Sequence, residues 1–452
     1  MTAADPKASI PMSSVPPLPP EPHARSRYAA ANLGRMRRRS PLDGDLVVDL
    51  CVIGGGLTGL SAALDAAERG MRVALIEARR VGWGASGRNG GQVLSGFSSG
   101  TDRLVAKVGE DTAREMWQMT VEALDLVRAR IAAHGIDCDL ADGVLTAAVK
   151  PRHLRDLEAE MARERRWGYD RSELIPADRI RDHVGSARYV GGMLDHGAAH
   201  LDPLAYAIGL AGAAEAAGAQ IFEETSATAI GRPATTSPAG PVGRFRVETQ
   251  SGAITASHVV VAANAENGRL VPEVRHKVMP VGTYVLATEP LDPALAHRLL
   301  PGNVAVSDCN FVLDYFRLSG DRRMLFGGKV SYSGRPPLNL ERSMRRSMLA
   351  VFPELATVPT SEVWGGVVDI THDRTPHFTE VVPGLIVLQG FSGHGLALTA
   401  LAGRLAVEAM AGDRRRFDLF DRLRHIDFPG GWARMPLLVL AMGWYRLRDM
   451  MP

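Results

Sequence analysis

Residues 45–77 read DLVVDLCVIGGGLTGLSAALDAAERGMRVALIE, and this stretch decides the fold. VDLCVIG is an apolar, β-branched run without alternation, the pattern of a strand buried on both faces. LTGLSAALDAAERG reads as a helix closed by Gly70. MRVALIE is a second buried strand. Strand, helix and strand together predict a parallel βαβ unit. Gly54, Gly56 and Gly59 fit the GxGxxG spacing of a dinucleotide site. Gly54 makes the turn, Gly56 lets a pyrophosphate reach the backbone, and Gly59 lets helix and strand approach. The pyrophosphate then lies at the helix N-terminus, by Leu57 and Thr58, where free N–H groups and the macrodipole favour anions. Glu77 ends the second strand about 20 residues on, followed by Ala78 and Arg79. Its carboxylate suits ribose hydroxyls and repels a 2′-phosphate. The alternative is a coincidental glycine turn, but the flanking strand, helix and acid favour a dinucleotide.

The bulk properties bound the rest. A chain of 452 residues is too long for one simple core, so at least two domains are expected. A formal net charge of +2 gives no electrostatic case for nucleic acid. Three scattered cysteines, Cys51, Cys138 and Cys309, argue against a disulfide framework and for a reducing compartment, the cytoplasm. No metal-ligand spacing is present. The head contains PMSSVPPLPPEP, proline-rich and without apolar periodicity, which predicts a disordered or loosely draped segment. RMRRR has no apolar run after it and is not an export signal. MPLLVLAMGWY (Met435 to Tyr445) is about half the roughly 20 residues needed to cross a bilayer. It reads as a packed terminal helix, with weak membrane-surface contact as the alternative and no transmembrane segment.

Past the βαβ unit, long helical patterns alternate with strands, and strands dominate from 277 to about 335. The fold class is α/β, in two α+β domains: a Rossmann-like dinucleotide domain and an antiparallel-sheet domain. The boundaries are discontinuous. Residues 1–44 form the head; 45–101, 196–271 and 366–428 the dinucleotide domain; 102–195 and 272–365 the substrate domain; 429–452 the tail.

WGASGRNGGQ (Trp83 to Gln92) is a loop of small residues holding Arg88 and Asn89, more than a solvated linker requires. Three further segments fit FAD as the dinucleotide. HVVVAAN, with Ala262 and Asn264, has the look of a strand returning under the cofactor. TSATAI reads as a strand whose Ala227 backbone meets adenine. GFSGHG (Gly390 to Gly395) opens a helix, and such an N-terminus stabilises negative charge on a reduced flavin; Ser392 is the expected N-cap.

Together WGASGRNGGQ, GFSGHG and VVDITHDRTPHF resemble the glycine/D-amino-acid oxidase-like (DAO) flavoproteins, with support from YAAAN, FVLDYFRLS, LFGGKVSYS and MPVGTYVLATEP. The resemblance covers nearly all of the chain after residue 27. It implies that the 83–92 loop runs along the flavin. Arg88, Asn89, Gly90 and Gly91 would meet the ring edge, and Ala85 and Ser86 the ribityl–phosphate part. Gly84, Gln92, Phe391, Gly393, His394 and Leu396 fall in the same cofactor set. The alternative is a tight glycine turn with Arg88 in a salt bridge.

The resemblance also implies the reaction: hydride leaves an amine C–H for flavin N5, the imine hydrolyses to aldehyde and ammonia, and O2 reoxidises the flavin to hydrogen peroxide. Its nearest branch acts on mono-acylated diamines such as gamma-glutamylputrescine. Tyr315 and Arg317 alternate onto one face of a strand and are candidates for the substrate side, with Trp364 and His372; ordinary packing is the alternative for each. Lys277, Lys329 and Arg88 are candidate cations near the flavin for oxygen reactivity. Sarcosine-type relatives carry a lysine for the substrate carboxylate where this chain has Ala397, which disfavours a small α-amino acid. They attach FAD through a cysteine near the segment that here reads DITHDR, so non-covalent FAD is expected. Asp202 and Cys309 also depart from the family's usual residues, without deciding the substrate. Two other readings stand beside the oxidase: a dehydrogenase passing electrons to a quinone or carrier, and an FAD-binding subunit of a larger assembly.

Overall fold

The structure, a computed structural model, describes residues 23–428 apart from 234, 238–239, 311–312 and 332–335. The proline-rich stretch before residue 23 and the apolar run 435–445 lie outside the described residues. The first part of the chain supplies α1 (Arg27–Ala31), β1 (Leu46–Ile53), α2 (Leu57–Glu68), β2 (Val73–Ile76), β3 (Gln92–Val93), α3 (Glu110–Ala133) and β4 (Ala141–Ala148). The middle supplies β5 (Gly191–His200), α4 (Pro203–Ala216), β6 (Gln220–Phe222), β7 (Ala253–Val261) and β8 (Val278–Thr288). The last part supplies β9 (Ala305–Asp308), β10 (Tyr315–Leu318), β11 (Met324–Ser331), β12 (Thr360–Thr371), β13 (His377–Val382), β14 (Leu385–Gln389) and α5 (Leu396–Met410).

Two sheets divide these strands. The first runs β13-β14-β7-β1-β2-β6, and β1 pairs parallel with both β2 and β7. Leu50 and Val52 face the cluster formed with α2, α3, α4 and α5. Cys51 and Ile53 face a second cluster with Phe245 and Val247. Burial on both faces is why the run is apolar without alternation. The second sheet runs β12-β8-β11-β10-β9-β4-β5-β3. On one face Phe316, Met324 and Phe326 pack with Met344 and Met348 of helix Leu340–Val351. On the other, Val285, Leu325 and Trp364 pack with Tyr28 of α1 and Leu204 of α4.

The residues between the proline-rich stretch and β1 pack onto the body. Tyr28 and Leu42 are buried, and Asn32 donates to Asp202 Oδ2 at 2.8 Å. Apolar anchors that precede β1 close this segment onto the body. A different anchor holds α2, α3 and α5 together. Arg130 donates to Ser61 Oγ at 3.0 Å and to Asp65, whose other oxygen accepts from Arg404 at 3.1 Å. Arg130 and Asp65 are each 5% exposed. Among the described residues no helix is long and apolar enough to cross a membrane.

Removing one member of a buried ion pair strands the other without its main partner. Arg130→Ala is expected to lower unfolding free energy by about 3 kcal/mol in urea titration, while Arg69→Ala, at a half-exposed pair with Glu408, changes it by under about 1 kcal/mol.

Candidate functional site

The parallel strands of the first sheet all end at one edge, and four of their loops meet there, the position where open α/β sheets bind ligands. β1 runs into α2 through Gly54, Gly55 and Gly56. A Cβ on Gly59 would fall inside van der Waals contact of Gly54 O, so the helix starts directly on the strand end. Gly56 occupies the N-cap and has no side-chain cap. Leu57 N donates to Ser86 Oγ at 2.9 Å, while the N–H groups of Gly56, Thr58 and Gly59 have no acceptor among the described residues. Glu77 follows β2. Its Oε2 accepts from Gly55 N at 2.6 Å and its Oε1 from Arg79 N at 2.9 Å. Desolvation pushes its carboxyl pKa up, against the pull of those two bonds.

The 83–92 loop lies beside this cradle. Asn89 fastens it: Nδ2 donates to Ala85 O and Ser86 O, both at 3.0 Å, and Oδ1 accepts from Gly91 N at 2.8 Å. Arg88 makes its hydrogen bonds to carbonyls, Trp83 O at 2.7 Å and Gly365 O at 3.2 Å, and its guanidinium lies over the Trp83 ring. Gln92 donates to Val306 O in the second sheet. A Cβ on Gly90 would sit 2.5 Å from the Tyr315 ring. The N–H groups of Asn89 and Gly90 also lack an acceptor among the described residues.

The third piece is the 390–395 loop before α5. Its organiser is Asp369 of β12. Asp369 Oδ2 accepts from Gly390 N at 2.7 Å, and its backbone carbonyl accepts from Ser392 N at 3.0 Å. Asp369 is 3% exposed, and burial lifts its pKa to about 6 despite backbone hydrogen bonds that lower it. His394 donates through Nε2 to Ser95 O at 2.7 Å, and burial lowers its pKa, so the ring is neutral with Nδ1 left as acceptor. On the fourth side Ala262 N donates to Ile53 O, and Asn264 donates to Val367 O of β12 at 2.7 Å.

A family model described as FAD dependent oxidoreductase, DAO, matches residues 49–409. The chain belongs to the DAO family of FAD-dependent oxidoreductases. It is 41% identical over 426 residues to the gamma-glutamylputrescine oxidoreductase of Escherichia coli (strain K12), covering 94% of this chain and 98% of that one. It is 39% identical over 407 residues to the probable oxidoreductase OrdL of Haemophilus influenzae, covering 89% and 92%. The crystal structure of glycine oxidase from Geobacillus kaustophilus superposes with a TM-score of 0.70 at 23% identity, over 84% of this chain and all of that one. The L-amino acid deaminase of Proteus vulgaris does so with 0.69 at 17%, over 85% and 99%. These two likenesses show a shared fold.

The residues present fit the FAD that the DAO family uses. Unclaimed N–H groups at the α2 N-terminus, a half-buried carboxylate after β2 and a loop with glycines at 87, 90 and 91 where a Cβ would collide supply an anion cradle, a hydroxyl acceptor and a close backbone surface.

Several expected details are different in the structure. Ser392 does not cap α5. It stands at φ +56°, its hydroxyl donates to Gly390 O, and the N-cap is Gly395. The expected TSATAI strand begins only at Ala229, because Thr225 is drawn aside to donate to Glu77 O, leaving Ala227 in a loop. Arg317 shares a face with Tyr315 but is 2% exposed, with its donors taken up by protein oxygens, so it has no free side toward a substrate. Trp364 is likewise buried, donating to Arg88 O at 3.0 Å from behind the loop. His372 is exposed at the turn after β12, with its ring 6.0 Å from Phe428. Lys277 and Lys329 are engaged, with Asp427 and Ser347. Sequence reasoning missed Asp369; the signal was an acid inside an apolar strand, where a charge needs dedicated partners.

Asp369 also sets a pH dependence. Its folded pKa of about 6 lies above the ordinary carboxylate range, so the neutral form favours folding and ionisation opposes it. Its favourable contribution is full below about pH 4 and lost as pH rises through about 6, a change of roughly 3 kcal/mol. Between pH 4 and 7 the stability difference between wild type and Asp369→Asn should therefore shift towards the variant, as read by urea midpoints at each pH. A difference independent of pH would contradict the assignment.

Proposed function

We propose that this chain is an FAD-dependent amine oxidase acting on the free amino end of gamma-glutamylputrescine or a related mono-acylated diamine. The observation that carries this reading is the near-full-length likeness to a gamma-glutamylputrescine oxidoreductase. When bound, FAD would take a hydride from the amine carbon and be reoxidised by O2 to hydrogen peroxide; water hydrolyses the imine to aldehyde and ammonia.

The protein's part is to hold, orient and dry the reactants. The amides of Gly56, Thr58 and Gly59 bind the pyrophosphate, and Glu77 accepts the ribose hydroxyls. The 83–92 loop, with Ala85, Ser86, Arg88 and the amides of Asn89 and Gly90, forms one wall. Residues 390–396 and α5 form another, whose dipole favours negative charge in the reduced state. Tyr315 backs the loop against Gly90 and Gly327. The amine must be neutral to react, which an apolar wall on the substrate side would favour. Ala397 is buried and offers no cation to a substrate carboxylate.

FAD is held without a covalent bond in this reading. The 369–374 segment has no cysteine, and Cys51 and Cys138 are buried in the cores. In this reading the first sheet and its helices bind the cofactor and the second sheet shapes the substrate side; the expected boundaries shift, because α3 packs with the first sheet while β3, the end of β5 and residues 366–371 of β12 pair in the second.

The test is anaerobic mixing of the purified flavoprotein with gamma-glutamylputrescine, followed by air. The expected outcome is prompt bleaching of the visible flavin band, then recovery with one peroxide per aldehyde. Bleaching without recovery in air would replace the oxidase with a dehydrogenase using another acceptor. Absence of bleaching would overturn the substrate assignment.

A further inference from the structure

We propose that Tyr28 and Arg317 are positioning residues: the N-terminal helix α1 fixes the cofactor loop by holding Arg317 against the Gly90 carbonyl. This rests on the reading of 83–92 as the loop that lines FAD.

Arg317 ties three separate parts of the chain together at one guanidinium. Nε donates to Gly90 O at 2.8 Å. Nη2 donates to Leu201 O at 2.7 Å and to the Tyr28 hydroxyl at 3.1 Å. Nη1 donates to Leu318 O at 3.1 Å. A guanidinium is planar and its donors are fixed in direction, so the position of one acceptor constrains the others. Gly90 is thereby held from behind. The same peptide is held from its other end, because Gly91 N donates to Asn89 Oδ1. The next carbonyl, Gly91 O, accepts from Leu201 N at 2.8 Å. With the Gly90–Gly91 peptide fixed at oxygen and nitrogen, the N–H groups of Asn89 and Gly90 stay unclaimed on the loop.

Among the described residues no carboxylate hydrogen-bonds to this buried cation. Asp202, whose charge Arg317 feels, is occupied: Oδ1 accepts from Leu204 N and Ala205 N at the start of α4, and Oδ2 accepts from Asn32 Nδ2. Arg317 therefore makes its hydrogen bonds to neutral oxygens, with Asp202 acting on it through charge alone, and losing one acceptor leaves a buried donor unsatisfied. Tyr28 is the one side-chain oxygen among them. Its ring is gripped edge-on by Trp364 at 5.4 Å, and α1 is fastened at its two ends, by Ser26 Oγ capping Ala29 N at 3.0 Å and by Asn32 on Asp202. A buried arginine paired only for stability would be expected to meet an acid. This one is aimed instead at the loop carbonyl.

The experiment measures the dissociation constant for FAD, by flavin fluorescence, with the thermal midpoint of each apoprotein alongside. Tyr28→Phe keeps the ring and removes only the oxygen; it should weaken FAD binding about five- to tenfold while the apoprotein melts within a few degrees of wild type. Gly90→Ala, which pushes on the loop directly, should weaken binding at least as much. Arg27→Gln, which breaks the partly exposed Arg27–Asp321 pair of the same helix, should leave it unchanged. Arg317→Lys tests the bond from its other side and should also weaken binding, since one ammonium cannot reach all four acceptors. If Gly90→Ala weakens binding while Tyr28→Phe and Arg317→Lys match wild type, the positioning role is overturned. If none of the three changes the affinity, the reading of the loop itself fails. If all the affinity losses track lower melting temperatures, the contact is merely structural and the proposal is also overturned.

Discussion

The direct start of α2 on the end of β1 is the constraint from which the site follows. At Gly59 a single methyl group would collide with the carbonyl of Gly54, so helix and strand end meet backbone to backbone. At Gly56 a Cβ would meet Ser86 Oγ at 2.8 Å, so no capping side chain stands there, and the N–H groups of Gly56, Thr58 and Gly59 remain open. Ser86, from the next loop, accepts from Leu57 N and brings the 83–92 segment alongside. The parallel pairing of β1 with β2 and β7 then delivers Glu77 and Ala262 to the same edge.

The second sheet completes this edge through polar bonds rather than apolar packing. Asp369 of β12 gathers the 390–395 loop, Trp364 of the same strand reaches Arg88 O, and Arg317 of β10 reaches Gly90 O. Each of these side chains is buried and spends its hydrogen-bonding capacity on backbone, apart from the one bond of Arg317 to the Tyr28 hydroxyl. Orientation is therefore enforced by bonds that must be satisfied, since an unpaired buried polar group costs more than a typical hydrogen bond contributes. Those bonds tie the loops around the site to the second sheet, the arrangement that pre-organised binding requires.

What was legible in the sequence was local. The βαβ unit is a run of residues whose periodicity, glycines and final acid each point the same way, and WGASGRNGGQ was readable because small residues exclude little else than a close neighbour. The resemblance of three short motifs reached the DAO family. What was illegible depends on distant partners. Arg317 and Gly90 lie 227 positions apart, and only folding shows that the arginine's donors are consumed. The same holds for Trp364, 276 positions from Arg88. Ser392 looked like a cap because it precedes a helix, but a left-handed backbone turn moves the helix start three residues on. Asp369 is illegible because an acid in a strand carries no motif, and nothing in YAAAN marks its tyrosine as sitting on a buried cation.

The central claim is that three backbone surfaces, at 54–59, 88–92 and 390–396, together hold FAD. Hydrogen exchange of the apoprotein with and without added FAD, read at peptide resolution, tests it most directly. The account requires slower exchange in all three segments, with the amides of Gly56, Thr58, Gly59, Asn89 and Gly90 among those protected, and little change in helix Leu340–Val351 on the far face of the second sheet. Protection spread evenly over the chain, or confined to segments other than these three, would contradict it.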